Sequence, residues 1–371
     1  MRIASGRIVS VSAEAWTLPL VAPFVIAART ATEARNVRVR IETEAGHGGD
    51  GASAPVGYVT GESVESVLEA LNTVIPKFIG MPTDRLGPLL TLANTLLADA
   101  PAARAGLEMA LYDAWARGRD LPLWQHFGRM QDRVTTDLTI PLVEPGAAAE
   151  LAVAAWEDGF RALKIKVGDP SGPDADLARI EAVVCAVPNV RLRIDANQAF
   201  TPAAAVQFAQ ALAKTGAAVD LLEQPVAKED VAGLKYVRER IAYPLFADES
   251  ARSVAEVLHL LQEDAVDGIN IKLMKSGITG ALQIIALAKA FGKQLMLGCM
   301  LETGLGIAAA AQIAAGTGAF DFLDLDSHRL LKPISGFSSG YTVQGEELVL
   351  ENQAGWGTIL PHTATNTWYG G

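Results

Sequence analysis

The 371-residue sequence is poor in cysteine, histidine, aromatic residues and positive charge. Its two cysteines, Cys185 and Cys299, make neither a disulfide framework nor a thiolate zinc site, which points to a reducing compartment. Lys and Arg number 31 against 42 Asp and Glu, a net charge of −11, and that balance argues against a nucleic-acid surface. No uninterrupted apolar run of about 18 residues is present, so no segment is expected to cross a membrane. The opening stretch, MRIASGRIVSVSAEAW, lacks a cationic region followed by a continuous hydrophobic one, and a cytoplasmic location is expected. What is left is a globular chain, half of it apolar, forming one large domain or two unequal ones.

From Ile3 to Glu44 the stretches RIVSVSAE and NVRVRIETE alternate with period two around a polar loop, TLPLVAPFVIAARTATEAR. A Gly-rich loop, GHGGDGASAPVGYVTGES, follows, and then helical stretches run from Ser63 to about Arg117. An α+β domain ending near residue 127 is expected. Beyond it the rhythm changes. Eight short β-like runs, TTDLTIPL, RALKIKV, VRLRIDAN, VDLLEQP, YPLFADES, DGINIKLMKSG, KQLMLGCMLET and FDFLDLD, each precede an Ala-rich helical pattern or close the series. Eight parallel strands alternating with helices predict an α/β barrel, and the rival open doubly wound sheet lacks its GxGxxG after a first strand. After Asp326 the alternation in GFSSGYTVQGEELVLENQAGWGTIL predicts strands that return to the N-terminal domain. The expected division is therefore 1–127 with 335–371 returning to it, and a barrel of 128–334.

RALKIKVG sets two lysines, Lys164 and Lys166, on one face of an otherwise apolar strand. Alone, such a pair marks the solvated face of an edge strand, just as a lone Asp at a strand end ordinarily caps the following helix. In conjunction they mean more. Asp195, Glu223 and Asp248 end three successive strands and converge on one side of the barrel mouth, where chemistry gathers in this architecture. Three unpaired carboxylates repel and raise one another's pKa values; a hard divalent cation resolves this, and an all-oxygen set favours Mg²⁺ over zinc. Lys166 lies one strand before the trio and Lys272 one strand after, so the two face each other across the metal. A Lys near a cation and a second ammonium has its pKa lowered into a useful range for a base. The arrangement suits proton abstraction beside a carboxylate, with one lysine removing the proton and the other returning it on the opposite face.

LKIKVG, RIDANQ, LLEQPV, ADES and INIKLMKSG together resemble the enolase superfamily, and within it the muconate-lactonising subgroup. The resemblance implies a modified TIM barrel, (β/α)7β, with an N-terminal α+β capping domain completed by the C-terminal segment. It also implies a Lys base working with Mg²⁺ on an enediolate. Carried over, Asp195, Glu223 and Asp248 would hold Mg²⁺, Lys166 and Lys272 would be the acid/base pair, and Lys164 would lower the Lys166 pKa and contact the substrate carboxylate. Asp324 and Asp326, in DLD, are similar to the Asp-x-Asp with which dipeptide epimerases bind a free α-ammonium, and GCMLETGLG and VTGES look like that family too. Thr139, Cys299, Leu301, Asp324 and Asp326 would line the dipeptide site. A cationic amine leaving water does need carboxylate partners, which two alternate residues supply. Arg29, in the loop that reads the distal side chain, either pairs with an acidic second residue or is solvated beside Glu33, leaving a hydrophobic one. Ala52 departs from the family, standing where a glutamate is expected.

The implied activity is a Mg²⁺-dependent epimerase that inverts the α-carbon of the C-terminal residue of an L-Ala-Xaa dipeptide, Xaa acidic or hydrophobic, by two-lysine 1,1-proton transfer. Alternatives on the same scaffold are a cycloisomerase, an o-succinylbenzoate synthase and an N-acylamino-acid racemase. A metal-free Schiff-base barrel would leave the three carboxylates unexplained. Expected partners are the small dipeptide and further copies of the chain in a homo-oligomer, with no nucleic acid and no membrane.

Overall fold

In Ala162–Lys166 the strand is covered on both faces: Leu163 and Ile165 are buried on one side, Lys164 and Lys166 on the other. That pattern recurs in the other barrel strands. The computed structural model describes residues 6–26 and 29–360, without the side chains of Ile26 and Arg29.

Three antiparallel strands open the chain: β1 (Ile8–Ile26), β2 (Arg29–Thr43) and β3 (Gly48–Ser53). Two stretches expected as loops are strands. β1 and β2 pair from Ile8 opposite Thr43 to Ile26 opposite Arg29, with an irregularity between Pro19 and Phe24. The reason is tertiary: the ribbon lies across the barrel, where Leu142 N–H donates to Val25 O at 3.1 Å and Lys332 N–H to Pro19 O at 3.0 Å. These bonds hold a pairing that sequence pattern, interrupted by prolines, does not announce. GHGGDGAS is β3, not a loop, because its glycines are there for close approach. A Cβ on Gly49 would stand 2.2 Å from Ala110 O, and one on Gly51 2.0 Å from Gly106 O, both in the helix Pro101–Arg117. Ala52, in this strand, is buried. The helices Val64–Val74, Leu86–Leu96 and Pro101–Arg117 cover the sheet, packing Val67, Leu71, Leu89 and Leu107 against Val37, Val39 and Ile41.

A short strand, β4 (Arg133–Thr135), precedes the barrel. Its eight parallel strands are β5 (Leu138–Ile140), β6 (Ala162–Lys166), β7 (Arg191–Asp195), β8 (Ala218–Glu223), β9 (Leu245–Ala247), β10 (Gly268–Ile271), β11 (Gln294–Gly298) and β12 (Phe322–Asp324), hydrogen-bonded in sequence order. Asp137 N–H donates to Leu323 O at 3.1 Å across the seam between first and last strands. Seven helices fill the intervals and, among the described residues, only the short helix Ser327–Leu330 follows β12, the (β/α)7β form expected. Caps fix several helix starts: Thr201 accepts from Ala204 N–H, Asp230 from Gly233 N–H and Ser253 from Glu256 N–H. The Ala-rich helix Gly304–Thr317 has no polar face and is accordingly buried nearly all round.

The last described strands, β13 (Tyr341–Gln344) and β14 (Glu347–Leu350), form a hairpin that pairs with β4, ahead of the barrel, and not with the N-terminal sheet to which the sequence pattern assigns them. The residues after the hairpin reach the helix Pro101–Arg117: Trp356 donates its indole N–H to Met109 O at 2.9 Å, and Arg117 donates to Thr358 O at 2.7 Å. Residues 361–371 of the returning segment lie outside the described residues. Among the described residues no helix is long and apolar enough to cross a membrane.

Candidate active site

Period-two alternation delivers the charged residues to the inside of the barrel. Lys166 pairs in register with Asp195, Asp195 with Glu223, and Gly298 with Asp324. Because side chains alternate across a strand, these positions share the inner face with Thr139, Lys164, Asn270 and Lys272, while their neighbours in sequence pack against the helices. Two ends are held in unusual backbone conformations: Asn197 has φ 41°, Gln198 φ 70° and Gln224 φ 35°. Gln224 shows what this is for. Its Oε1 accepts from Asp248 N–H at 2.9 Å and Ser250 N–H at 3.1 Å, which fixes the neighbouring strand end.

One cavity is lined by Thr139, Lys166, Asp248, Lys272, Cys299, Leu301, Asp324 and Asp326, with Asn197 and Glu249 beside them. Lys164 lies beneath it, fully buried, with Nζ 2.8 Å from Asp324 Oδ2, 2.9 Å from Glu223 Oε2 and 3.0 Å from Asp195 Oδ2. Lys166 Nζ is 2.6 Å from Asp195 Oδ2, and Lys272 Nζ is 2.7 Å from Asp248 Oδ2. β6 and β10 are four strands apart in a ring of eight, so the two lysines approach from opposite walls, each through a carboxylate. Asp326 Oδ2 accepts from Thr139 N–H at 2.7 Å. Arg29 opens β2, and its side chain lies outside the described residues.

Electrostatics follow from this packing. Burial pushes the Asp195 and Asp248 carboxyls up, but Lys164 and Lys166 beside the first, and Lys272 and Lys275 beside the second, outweigh it and hold both below the usual range. Burial likewise pushes Lys164 and Lys272 down, yet the surrounding carboxylates win and both rise. For Lys272 this direction is opposite to the lowering expected beside a divalent cation, since its Nζ faces the Asp248 carboxylate more closely than another ammonium. Glu249 goes up to about 7, from burial and then the charges of Asp248 and Asp195, and Asp326 to about 6, from burial and Asp324. Six carboxylates, those of Asp195, Glu223, Asp248, Glu249, Asp324 and Asp326, meet four ammonium groups, those of Lys164, Lys166, Lys272 and Lys275, so the fully ionised cluster carries a −2 surplus.

That surplus, an all-oxygen donor set at adjacent strand ends, and buried oxygens without a hydrogen-bond partner (Glu249 Oε2 and Asn197 Oδ1) fit a hard divalent cation. Among the described residues no three acidic, His or Cys side chains already stand in ligating positions, because the carboxylates turn onto the lysines. Sequence reasoning missed Lys275, whose Nζ is 2.6 Å from Asp248 Oδ1 and donates to Asn270 O at 2.8 Å, and Asn270, which donates to Glu223 Oε1 at 2.7 Å. The signal for Lys275 was its place three residues after Lys272, one helical turn along. Also missed were Phe24, Val56, Tyr58 and Val59, which line the cavity from the N-terminal unit.

Residues 8–128 match the N-terminal domain family of mandelate racemase and muconate lactonizing enzyme, and residues 147–361 match the enolase C-terminal domain-like family. An L-Ala-D/L-Glu epimerase of Thermotoga maritima is 37% identical over 88% of this chain and 94% of its own length. The substrate-liganded L-Ala-D/L-Glu epimerase of Bacillus subtilis superposes with a TM-score of 0.92 at 37% identity, covering 95% of this chain and 99% of that one. A dipeptide epimerase of Enterococcus faecalis, complexed with Mg and L-Leu-L-Tyr, gives a TM-score of 0.90 at 38% identity, again covering 95% and 99%.

Proposed function

Because the chain belongs to the enolase superfamily, within its mandelate racemase and muconate lactonizing group, we propose that its cavity works as that of a Mg²⁺-dependent dipeptide epimerase. The enzyme is an isomerase that inverts the α-carbon of the C-terminal residue of a dipeptide. The observation that carries this is the placement of Lys166 and Lys272 on opposite walls of one cavity that also holds Asp324 and Asp326.

Each residue then has a task. Asp195, Glu223 and Asp248 would hold the metal, which when bound would supply positive charge against the substrate carboxylate, where negative charge grows as the α-proton leaves. Lys166 and Lys272 take and return that proton at Nζ from opposite faces, one starting neutral and the other charged; Asp248 favours the charged form of Lys272. Lys164 stands beneath them as a fixed cation between three carboxylates. Asp324 and Asp326 receive the α-ammonium, with Thr139, Cys299 and Leu301 beside it.

The second residue of the dipeptide is hydrophobic in this reading. This rests on Phe24, Val56, Tyr58 and Val59, which form the lining from the N-terminal unit; the adjoining cleft of about 360 Å³, which shares Val56 and Leu301, also carries Thr30, Thr32, Glu33 and Arg35 and does not itself favour an apolar side chain. The proposed partition is a capping unit of 1–127 with 335–371 over a barrel of 128–334; Trp356, docked on the helix Pro101–Arg117, supports it, whereas the β13–β14 hairpin pairs with β4 on the barrel's side of the boundary. A cytoplasmic setting and a homo-oligomer complete the reading, and gel filtration against the 39.1 kDa chain tests the oligomer.

The decisive experiment follows inversion and α-proton exchange of L-Ala-L-Phe and L-Ala-L-Glu in D₂O with Mg²⁺. Inversion of L-Ala-L-Phe is expected, faster than that of L-Ala-L-Glu. Lys166→Ala and Lys272→Ala each lose inversion by about a hundredfold to ten-thousandfold. Full inversion in either variant would end the two-lysine reading, and preference for L-Ala-L-Glu would end the hydrophobic one.

A further inference from the structure

The helix after β10 breaks soon after Lys272: within Leu273–Ala290, Gly277 takes φ 68° and ψ 178°. The N–H groups of Ile278 and Thr279 open a new helix there and have no partner in a preceding turn. Both go to one carboxylate of the N-terminal unit. Glu108 Oε2 accepts from Ile278 N–H at 2.5 Å and Thr279 N–H at 3.1 Å, while its Oε1 accepts from the Thr279 hydroxyl and from Asn94 Nδ2, each at 2.6 Å. Glu108 is fully buried in the middle of the helix Pro101–Arg117. One turn earlier on that helix, Arg104 donates to Ser276 O at 3.0 Å. Glycine at 277 is needed twice over, since a Cβ there would stand 2.6 Å from Glu108 Oε2.

The segment from Lys272 to Thr279 is thus pinned at both ends. At one end Lys272 and Lys275 reach Asp248; at the other, Glu108 and Arg104 grip the kink. We infer that Glu108 is a positioning residue, which acts through the kink at Gly277 to hold the Lys272 side chain at its wall of the cavity. The inference rests on the two-lysine reading. It makes the N-terminal unit part of the catalytic geometry on the Lys272 side, with Lys166, on the opposite wall, outside its reach.

The test is an asymmetry that a merely structural role would not produce. Lys166→Ala, which retains only Lys272, identifies the dipeptide isomer whose α-proton exchanges through Lys272; Lys272→Ala identifies the other. In Glu108→Ala, checked for folding by its near-ultraviolet circular dichroism, exchange through Lys272 is expected to fall roughly tenfold to a hundredfold, while exchange through Lys166 changes by less than about threefold. Glu108→Gln, built together with Asn94→Ala so that its Nε2 does not face the Asn94 amide donor, keeps an oxygen for the two backbone N–H groups and a donor for the Thr279 hydroxyl, and should restore the wild-type pattern even if the alanine variant folds poorly. Equal loss of both exchanges in Glu108→Ala, or an asymmetry that this double variant fails to rescue, overturns the inference alone. If the two lysine variants do not separate the isomers, the two-lysine reading falls and this inference with it.

Discussion

At the N-terminal end of the barrel, β8, β9 and β11 turn Leu221, Phe246 and Met296 inward, with Phe322 of β12 against them. Two residues further along the same chain stretches, the inward positions hold Glu223, Asp248, Gly298 and Asp324. The strands, their twist and their neighbours are the same at both levels, so the change from apolar plug to charged cluster is made by side chains alone. Arg193 marks the boundary: its guanidinium lies 4.9 Å from the centre of the Phe322 ring and donates to Asp137 Oδ2 at 2.7 Å and Leu323 O at 2.6 Å. The contrast teaches where stability and chemistry reside. The plug removes apolar surface from water without cost in polar partners, whereas desolvated ion pairs roughly break even against an apolar core. The charged level is therefore carried by the plug, by the outward-facing Leu and Ile residues, and by the surrounding helices.

The strongest way to break the comparison is to open the plug. Phe246→Ala removes a fully buried ring that faces Leu221, Met296 and Phe322, and is expected to cost about 3–5 kcal/mol of unfolding free energy. Urea denaturation measures this. Turnover per folded molecule should stay near wild type, because the ring lies one level below the lysines. A variant that keeps its stability would show the plug to be dispensable.

A smaller effect, of opposite sign for stability, is expected at the mouth. Asp326→Asn keeps an acceptor for Thr139 N–H while removing one of two adjacent buried carboxylates, whose mutual repulsion helps push Asp326 up to about 6. Stability should be unchanged or slightly higher. Binding should suffer, with KM for the dipeptide rising by roughly one to two orders of magnitude as a charged partner of the α-ammonium is lost, and kcat changing far less. Steady-state kinetics on L-Ala-L-Phe decide it; an unchanged KM would remove Asp326 from the ammonium site and favour a substrate without an amine.

The charged level was largely legible in the sequence. Carboxylates and lysines at strand ends are separated by whole βα units, and that spacing survives in the order β6 to β10 whatever the loops do. The cap was much less legible. β1 and β2 continue past Thr17 and before Asn36 only because the ribbon bonds to Leu142 and Lys332, contacts with no local signature. β3 reads as a loop because glycine is depleted in strands, and its reason, the backbone of the helix Pro101–Arg117, lies some sixty residues on. Glu108 escaped for the same cause: inside a helical pattern a Glu looks like a solvated residue, and its partners, Ile278 and Thr279, are 170 and 171 residues away.

His328 sharpens the comparison at its finest scale, as a titratable group beside the mouth that has no carboxylate partner in hydrogen-bond range among the described residues. Its Nδ1 lies 3.1 Å from Leu325 O and so carries the proton, its Nε2 is buried without a partner, and its ring meets Tyr341 edge-on at 5.5 Å. Burial, and then the charge of Arg329, lower its pKa to about 4 from 6.5. Between those values the unfolded chain binds a proton that the folded chain does not, so stability rises with pH across this window. His328 therefore contributes fully above about pH 6.5 and loses its contribution as pH falls towards 4, a difference of at most about 3 kcal/mol. His328→Phe keeps a ring against Tyr341 and cannot be protonated, so the gap in urea midpoint between it and wild type should shift in favour of the variant from pH 7 to pH 4.5. A gap that does not move with pH would mean that the imidazole finds a compensating partner on protonation, as the mouth lysines do with Asp195 and Asp248.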